Sequence, residues 1–352
     1  MTPWTRRRTG MANRPRIEDI CEKLHLSKAT VSKALNGYDS VREETRAQVL
    51  ACAREIGYAQ ARYSEDVKAR YTRIGITMTS FAGNPHGITP YQPLVNSLMG
   101  ELEQYHYETV LIPPSVLQEQ SVPYEQAMRS MNLDCAFLTG LRIDDPYYKQ
   151  IQTTELPTVL WDMSVRNPVV HCVSSDSTEG MRLAASYLIE LGHRRIGLIM
   201  GHRQAQVSLL RRDGYMLALL DAGLPIDPEL IFEGDYSETA GALGFYELMK
   251  KNVTGILCVS DTTALGVYRA AMTKGLRIPE DLSIIGYDNT ALTSYTVPGL
   301  TSVDQHSDQV GKVIATTIHN MMRHRPVGDT ILHPSLVIRG STAAPGDIGT
   351  AQ

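Results

Sequence analysis

The chain has 352 residues, of which 43% are apolar and 20% are charged, and its net charge is −4. This length and composition can bury cores for two or three domains, which excludes a disordered chain or a small peptide module. No run of about 18 apolar residues occurs, so no membrane-spanning helix is predicted. The cysteines are widely spaced, and we expect buried thiols rather than disulfides or a zinc site. They are Cys21, Cys52, Cys135, Cys172 and Cys258.

The charge is unevenly distributed along the chain. Residues 1–73 carry 15 Lys and Arg against 9 Asp and Glu, a net +6, whereas the other residues carry a net −10. A basic segment on an acidic body predicts that this segment binds a polyanion. The first ten residues lack the apolar segment of a secretion signal, so we expect a cytoplasmic location.

The first predicted elements are three short helices. Apolar spacing predicts the first over residues 17–24. Ser27 can cap a second helix that ends near Asn36 and Gly37, and a third is expected from about Arg42 to Ile56. The inward positions of these helices are Ile17, Ile20, Cys21, Leu24, Val31, Ala34, Leu35, Val49, Leu50, Ala53 and Ile56.

The outward face of the second helix carries Lys28, Ala29, Ser32, Lys33 and Asn36. These side chains are small, cationic or amide-bearing, a combination that fits the major groove of DNA. The alternative interpretation is an ordinary solvated helix face.

The stretch from Ile17 to Tyr58 resembles the headpiece of the lactose-repressor/galactose-repressor (LacI/GalR) family of bacterial transcription regulators. The resemblance rests on SKATVSKALNG and VREETR, which form a long motif of fixed spacing. It implies that Lys28, Ala29 and Lys33 face DNA bases, and Lys33 replaces the usual arginine, which weakens base discrimination. Arg16 stands where the family often has Thr, so a side-chain cap is lost. The residues implied for contact with the DNA backbone are Ser27, Thr30, Ser32, Asn36, Thr45 and Arg46.

Residues 59–72 are expected to link the DNA-binding domain, residues 15–58, to the body. By resemblance, this linker becomes a hinge helix on DNA and inserts a leucine into the minor groove. Val67 stands at that position, preceded by Glu65 and Asp66. A shorter wedge and two carboxylates near phosphates predict a weaker DNA bend than in typical relatives. The alternative is a flexible linker that simply tolerates charge.

From Arg73 onward, short apolar runs alternate with amphipathic stretches, which predicts parallel sheets covered by helices. Two such series predict two doubly wound lobes with a cleft between their strand ends. Lobe 1 is expected at about 73–172 plus 305–330, and lobe 2 at about 173–304 plus 331–341. Together they form an effector-binding and dimerisation domain, residues 73–342. Residues 1–14 are expected to be a basic extension and residues 343–352 a tail.

The body also resembles LacI/GalR regulators, and through them periplasmic sugar-binding proteins, in SDTTALG, SIIGYDN and VPGLTSVDQ. The expected fold class is an all-α helix-turn-helix headpiece followed by an α/β two-lobed periplasmic-binding-protein-like domain. The resemblance implies a sugar-like effector in the cleft, held by charged, amide and aromatic groups. The implied effector-binding residues are Asp162, Arg211, Tyr236, Ser260 and Asp288, with Trp161 and Gln305 as weaker candidates.

Several of these residues have an alternative structural interpretation. Asp288 could be a turn or helix-capping residue, and the same interpretation applies to Asp261. Arg211 could form an exposed pair with Arg212, and Tyr236 could be part of the core.

The sequence lacks the motifs of phosphate-binding loops, zinc hydrolases and serine hydrolases, so we expect neither an enzyme nor a metal or cofactor. It predicts a homodimeric repressor of carbohydrate-utilisation genes that binds a pseudo-palindromic operator in double-stranded DNA and responds to a sugar. The alternative is a global catabolite regulator controlled by a phosphorylated carrier protein, which requires a basic docking patch on the first lobe. A solute-binding protein for transport is disfavoured by the basic head, and no membrane partner is expected.

Overall fold

The structure is a computed structural model that describes residues 16–35, 41–56, 72–77, 91–113, 115–116 and 122–346. The chain divides after residue 71 into two compact units, and each is described by itself. Within the described residues, no helix is both long and apolar enough to cross a bilayer.

The first unit contains the helices α1 (Ile17–Leu24), α2 (Lys28–Leu35) and α3 (Glu43–Glu55). The predicted helix-turn-helix is confirmed, since a short turn at His25 separates α1 from α2. The Ser27 hydroxyl accepts a hydrogen bond from the Thr30 backbone N at 3.1 Å and so caps α2. Arg16 provides no side-chain cap for α1. The core of this unit includes Ile20, Val31, Ala34, Leu35, Val49 and Ala53, each at most 2% exposed.

The second unit contains two sheets and the helices around them. Its strands are β1 (Arg73–Ile76), β2 (Glu108–Leu111), β3 (Cys135–Leu138), β4 (Thr158–Trp161), β5 (Val170–Ser175), β6 (Ile196–Met200), β7 (Ile231–Glu233), β8 (Gly255–Cys258), β9 (Ser283–Tyr287), β10 (Thr301–Asp304), β11 (Thr330–Leu332) and β12 (Ser335–Val337). Its helices are α4 (Gln92–Gln104), α5 (Tyr124–Ser130), α6 (Pro146–Ile151), α7 (Ser177–Glu190), α8 (Gln206–Asp221), α9 (Glu238–Met249), α10 (Asp261–Thr273) and α11 (Ser307–Met322).

The predicted pair of doubly wound lobes is confirmed. The first sheet has the strand order β11–β5–β4–β3–β1–β2 and the second has the order β12–β10–β9–β8–β6–β7. All neighbouring strands are parallel except β12, which runs antiparallel to β10. The strands β3, β6 and β9 are buried along their whole length, because helices cover both faces of a parallel sheet.

The lobe boundaries differ from the sequence-based ones by a few residues. We expected lobe 1 to end at residue 172 and to resume only up to residue 330. However, β5 pairs with β4 and continues to Ser175, and β11, residues 330–332, pairs with β5 in the same sheet. An apolar pattern in the sequence can identify a strand but not the sheet to which the strand belongs. The assignment of β5 and β11 to the first sheet therefore depends on their observed pairing.

The cysteines are all free thiols, and four of the five are buried as expected. Cys21 is the exception, since it is only half-buried on α1. Cys21 lies at the periphery of the small three-helix core, where part of its side chain remains exposed.

Candidate DNA-binding and effector-binding sites

The outward face of α2 presents the predicted base-facing residues to solvent. Lys28, Ala29 and Lys33 are exposed, and Ser32 is half-buried. The Lys28 ammonium lies 2.7 Å from a carboxylate oxygen of Glu18 on α1. Such an exposed ion pair contributes little to stability, so a phosphate or base edge can compete for this lysine.

The residues predicted to contact the DNA backbone have different environments. Ser27 and Thr30 share a hydrogen bond between their hydroxyls, 2.8 Å long, at the start of α2. Thr45 is half-buried on α3. Arg46 is only 8% exposed, and its guanidinium lies 3.2 Å from the Glu43 carboxylate. Arg46 therefore packs within the head, and its contact with the DNA backbone stays a prediction.

The remaining predicted DNA contacts lie outside the described residues. These are Asn36 at the end of the recognition helix and Val67 in the linker, together with the neighbouring Glu65 and Asp66. The weaker DNA bend attributed to this linker stays a prediction.

Arg211 lies on α8 beside the carboxyl ends of β8 and β9. It is 3% exposed, and its Nη1 donates a hydrogen bond to the carbonyl oxygen of Val259. The guanidinium carbon lies 3.6 Å from the centre of the Tyr287 ring. Its Nη2 lies 4.0 Å from the Asp288 carboxylate. This burial excludes the alternative of an exposed pair with Arg212.

The close approach of α8 to α7 fixes the position of Arg211. A Cβ at Gly214 would lie 2.1 Å from the backbone oxygen of Thr178 on α7, so only glycine allows the two helices to pack at this distance. Gly214 lies about one helical turn from Arg211, and the contact therefore helps to fix the arginine at the carboxyl ends of β8 and β9.

Asp288 and Gln305 follow adjacent strands of the second sheet and contact each other. Gln305 Nε2 donates a hydrogen bond to Asp288 Oδ1 at 2.7 Å. The Asp288 backbone N donates to the Val303 carbonyl at 2.8 Å. These contacts place the predicted carboxylate and the predicted amide side by side at the carboxyl edge of the sheet.

Ser260 and Asp261 both have structural roles at the start of α10. The Ser260 hydroxyl accepts from the Thr263 backbone N at 3.1 Å and caps α10, and its contact with an effector stays a prediction. Asp261, which the sequence left as a turn or helix-capping residue, is buried and accepts from the Thr290 backbone N at 2.7 Å and from the Ser302 hydroxyl at 2.6 Å. Asp261 therefore holds the loop that follows Asp288.

Trp161 and Asp162 bring the first lobe to the site. Trp161 ends β4 and is 4% exposed. Asp162 follows it with a positive φ of 58°, which turns its side chain away from the strand. Its Oδ1 and the indole Nε1 of Trp161 are buried without a hydrogen-bond partner among the described residues.

The charges of the two lobes are coupled through Arg211. Burial raises the pKa of Asp162 to about 7, although Arg211 opposes the rise. Burial also raises the pKa of Asp288, again against the effect of Arg211. Burial disfavours the charged guanidinium, but Tyr287 and the two carboxyl groups together raise the pKa of Arg211. One permanent positive charge thus lies between two carboxyl groups that ionise with difficulty.

Tyr236 packs in the core, which was the alternative interpretation, and its contact with an effector stays a prediction. Its ring belongs to the apolar core of the second lobe, and it covers Gly201 so closely that a Cβ there would lie 2.1 Å from the ring. Burial raises the pKa of Tyr236 to about 12, and the nearby Arg211 opposes this shift. The Tyr236 ring is therefore held in place near the Arg211 guanidinium.

Tyr91 is a site residue that the sequence analysis missed. It immediately precedes α4 in the first lobe. Burial raises the pKa of its phenol, and the charges of Asp288 and Asp162 raise it further. Its only sequence signal is an aromatic residue at the point where a helix begins after β1.

Five buried polar atoms of Arg211, Gln305 and the residues at the ends of β4 and β5 have no hydrogen-bond partner among the described residues. Buried polar groups are normally hydrogen-bonded, so these atoms fit a small molecule with several polar groups. The set includes both donors and acceptors, which matches hydroxyl groups because each hydroxyl donates and accepts. In the described part of the chain, no cluster of three His, Cys, Asp or Glu could hold a metal. The five atoms are Trp161 Nε1, Asp162 Oδ1, Ser175 Oγ, Arg211 Nε and Gln305 Oε1.

Two family models match this chain. The model of bacterial regulatory proteins of the lacI family matches residues 16–60. The model of the periplasmic binding protein-like domain matches residues 185–342. The first match corresponds to the helical head. The second covers most of the second lobe and the last segments of the chain that return to the first lobe.

Relatives match over nearly the whole length. The chain is 32% identical over 354 residues to an HTH-type transcriptional regulator in the aml 5' region of Streptomyces limosus, covering 96% of this chain and 97% of that protein. It is 29% identical over 332 residues to the HTH-type transcriptional repressor CytR of Escherichia coli (strain K12), covering 93% and 96%.

Solved structures show the same architecture. The transcriptional regulator CelR in complex with cellobiose superposes with a TM-score of 0.70 at 26% identity, covering 93% of this chain and 100% of that chain. A regulatory protein of the LacI family from Chloroflexus aggregans gives a TM-score of 0.69 at 29% identity, covering 77% and 98%. These relatives are transcriptional regulators rather than enzymes. The chain belongs to the lacI family of bacterial regulatory proteins, as a helix-turn-helix DNA-binding regulator.

Proposed function

We propose that the chain is a cytoplasmic, homodimeric repressor whose affinity for a pseudo-palindromic operator is controlled by a small sugar-like molecule between the two lobes. The observation that carries this proposal is the convergence of Asp162 from one lobe with Arg211 and Asp288 from the other, surrounded by unpartnered polar atoms. A cleft that brings such groups together is a typical small-molecule site.

The side chains in the cleft suit a carbohydrate. Vicinal hydroxyls can accept from the guanidinium of Arg211 and donate to the carboxyl groups of Asp162 and Asp288. The rings of Trp161 and Tyr236 offer apolar surfaces for the C–H groups of a sugar. The cellobiose bound to the CelR regulator supports this class of effector.

An exposed apolar surface on the second lobe supports a dimer. Met272, Tyr295 and Val297 are 67%, 80% and 88% exposed. Met272 and Val297 line one groove together with Leu265 and Tyr268. An exposed apolar patch of this kind is typical of a protein interface. We assign it to a second copy of the chain, whose two-fold symmetry then requires a pseudo-palindromic operator.

Hydrogen bonds between the lobes provide a physical basis for switching. The Ile143 backbone N donates to the Gln204 carbonyl at 2.8 Å, and the Ser164 backbone N donates to the Gln206 side chain at 3.1 Å. A ligand that favours one angle between the lobes favours either the formation or the loss of these bonds. Coupling of this type typically amounts to about 1–3 kcal/mol.

A thermal-shift screen of the full chain tests the effector class. The panel consists of D-ribose, D-glucose, D-galactose, maltose and cellobiose, because a ligand that binds the folded state raises Tm by mass action. We expect at least one sugar to raise Tm. The R211K variant should lose this shift, since lysine lacks the planar fork of donors.

The R212K variant is the matched control, because Arg212 is the adjacent, more exposed arginine. It should retain the sugar-dependent shift. A shift that persists in R211K, or the absence of any shift across the panel, would contradict the proposed sugar site.

A further inference from the structure

The end of α11 carries an aromatic and basic surface that the effector site does not use. We call it the basic end patch and define it by Tyr105, Tyr107, His319, Arg323 and Arg325. The His319 ring stacks on Tyr105 with centroids 4.1 Å apart and planes at 23°. Its Nδ1 lies 3.1 Å from the Tyr107 hydroxyl. Arg323 and Arg325 are the first and third residues after the end of α11, and both are exposed.

The patch is positively charged although the body as a whole is acidic. Among the described residues, no carboxylate forms an ion pair with Arg323 or Arg325. Burial lowers the pKa of His319, and both arginines lower it further. The negative end of the α11 dipole stabilises cations at this position, which offsets the repulsion between the neighbouring guanidinium groups.

The patch lies at the edge of the first sheet where the chain enters the body. α11 leads into β11, which is parallel to β5, so the end of α11 lies at the amino edge of the strands. β1 starts at the same edge: the Glu108 backbone N donates to the Thr72 carbonyl at 3.0 Å, and the Glu108 carboxylate lies 3.2 Å from Arg73. Glu108 directly follows Tyr107. The patch therefore lies at the same edge of the sheet as the first residues after the linker, and the candidate effector site lies at the opposite edge.

The linker ties bound DNA to this edge of the body. Only residues 57–71 separate the described head from Thr72. A duplex held by the head is thus tethered to the edge that carries the basic end patch.

We propose that the basic end patch binds phosphates of the DNA duplex held by the head, as a second contact of the body with the DNA backbone. The inference rests on DNA binding by the head. Arginine matches a phosphate bidentately, and the His319 ring and the tyrosine hydroxyls add donors beside it. Contacts of this kind add affinity and salt dependence without sequence preference. An acidic protein is the other class of partner for such a surface, and the experiment separates the two.

The test measures binding of the full chain to a fluorescein-labelled 40-base-pair duplex of arbitrary sequence between 50 and 200 mM KCl. The variant is R323Q/R325Q. Each phosphate contact contributes about 0.9 to the slope of log K against log salt. We therefore expect the magnitude of the slope to fall by about 1.8 for each subunit whose patch contacts the DNA. The affinity at 50 mM KCl should fall at least about tenfold. Thermal unfolding checks that the variant folds.

The K250Q/K251Q variant is the matched control. Lys250 and Lys251 lie in the equivalent turn between a helix and a strand, at the amino edge of the second sheet, and their replacement removes the same charge. This variant should bind the duplex like the wild type.

An unchanged slope in R323Q/R325Q overturns the proposal and leaves an acidic protein as the partner class for the patch. An equal change in K250Q/K251Q also overturns it, because total charge would then explain the effect. If the wild type itself does not bind the duplex, DNA binding by the head is contradicted together with this inference. The K28Q/K33Q variant reports on the head separately.

Discussion

At the scale of single residues, the cleft is marked by unusual backbone angles. Asp162, Tyr236 and Asp288 all have positive φ, at 58°, 69° and 104°. Residues with a Cβ rarely adopt this region, and such strain concentrates at functional sites. Asp162 and Asp288 directly follow β4 and β9, and Tyr236 lies three residues after the end of β7. This geometry supports the assignment of the cleft independently of the family resemblance.

The raised pKa of Asp162 predicts a pH-dependent stability. Its folded-state pKa is about 7 against an ordinary value of 3.8, so the folded state holds a proton that the unfolded state releases between these values. The free energy of unfolding should therefore fall as pH rises through this window. In D162N the contribution of Asp162 to this loss disappears. Between pH 5 and pH 8 the variant should gain on the order of 2 kcal/mol relative to the wild type, measured by urea unfolding.

The control for this prediction is D144N, which removes an exposed carboxylate in the same lobe. It should keep the pH dependence of the wild type. Parallel stability curves for wild type and D162N over pH 5–8 would show that the buried carboxyl group does not carry this effect.

Several cleft residues could be predicted from the sequence, but neighbouring polar residues could not be told apart. Arg211, Asp288, Asp162 and Gln305 stand in motifs that the family resemblance identifies, and the structure brings them together. Ser260 and Asp261 are both good helix caps, and only the packing of the distant loop at Thr290 decides which oxygen caps α10.

At the scale of secondary-structure elements, the contact between α7 and α8 is the most sensitive part of the site. A methyl group at Gly214 would meet the Thr178 carbonyl at 2.1 Å. We expect G214A to lower the free energy of unfolding by about 1–3 kcal/mol and to weaken sugar binding, because α8 carries Arg211. Urea unfolding and the sugar-dependent Tm shift measure the two effects.

Gly100 on α4 offers a matched control, since a Cβ there meets nothing within 4 Å. Because alanine favours a helix over glycine, G100A should be neutral or stabilise the chain by up to about 1 kcal/mol. Equal stabilities of G214A and the wild type would show that α8 can shift without cost, and the positioning argument for Arg211 would fail.

Long elements were predictable from the sequence, and short ones were not. The alternation of apolar runs and amphipathic stretches predicts the core strands and the long helices that cover them, because burial on a sheet fixes their periodicity. The short elements α6, β7 and β11 were not predicted. The last two have three residues each and no fully buried position, so their place in a sheet depends on pairing with neighbours rather than on a pattern of their own.

At the scale of the whole molecule, the chain consists of two units with different structures. The helical unit presents a basic recognition face, and the α/β unit places a charged cleft between two lobes whose rims are joined by hydrogen bonds. Three chain crossings connect the two lobes. The sequence predicts this organisation well, because the family motifs extend over both units.

The most direct test of the account is the affinity of the full chain for its operator with and without its sugar. The operator is the tightest duplex selected from a random library, and the sugar is the one with the largest Tm shift. Fluorescence anisotropy should report a change of about 5–150-fold in Kd at saturating sugar and no sugar-dependent change in R211K. An identical operator Kd with and without saturating sugar, in wild-type protein that binds both, would contradict the proposed control of DNA binding from the cleft.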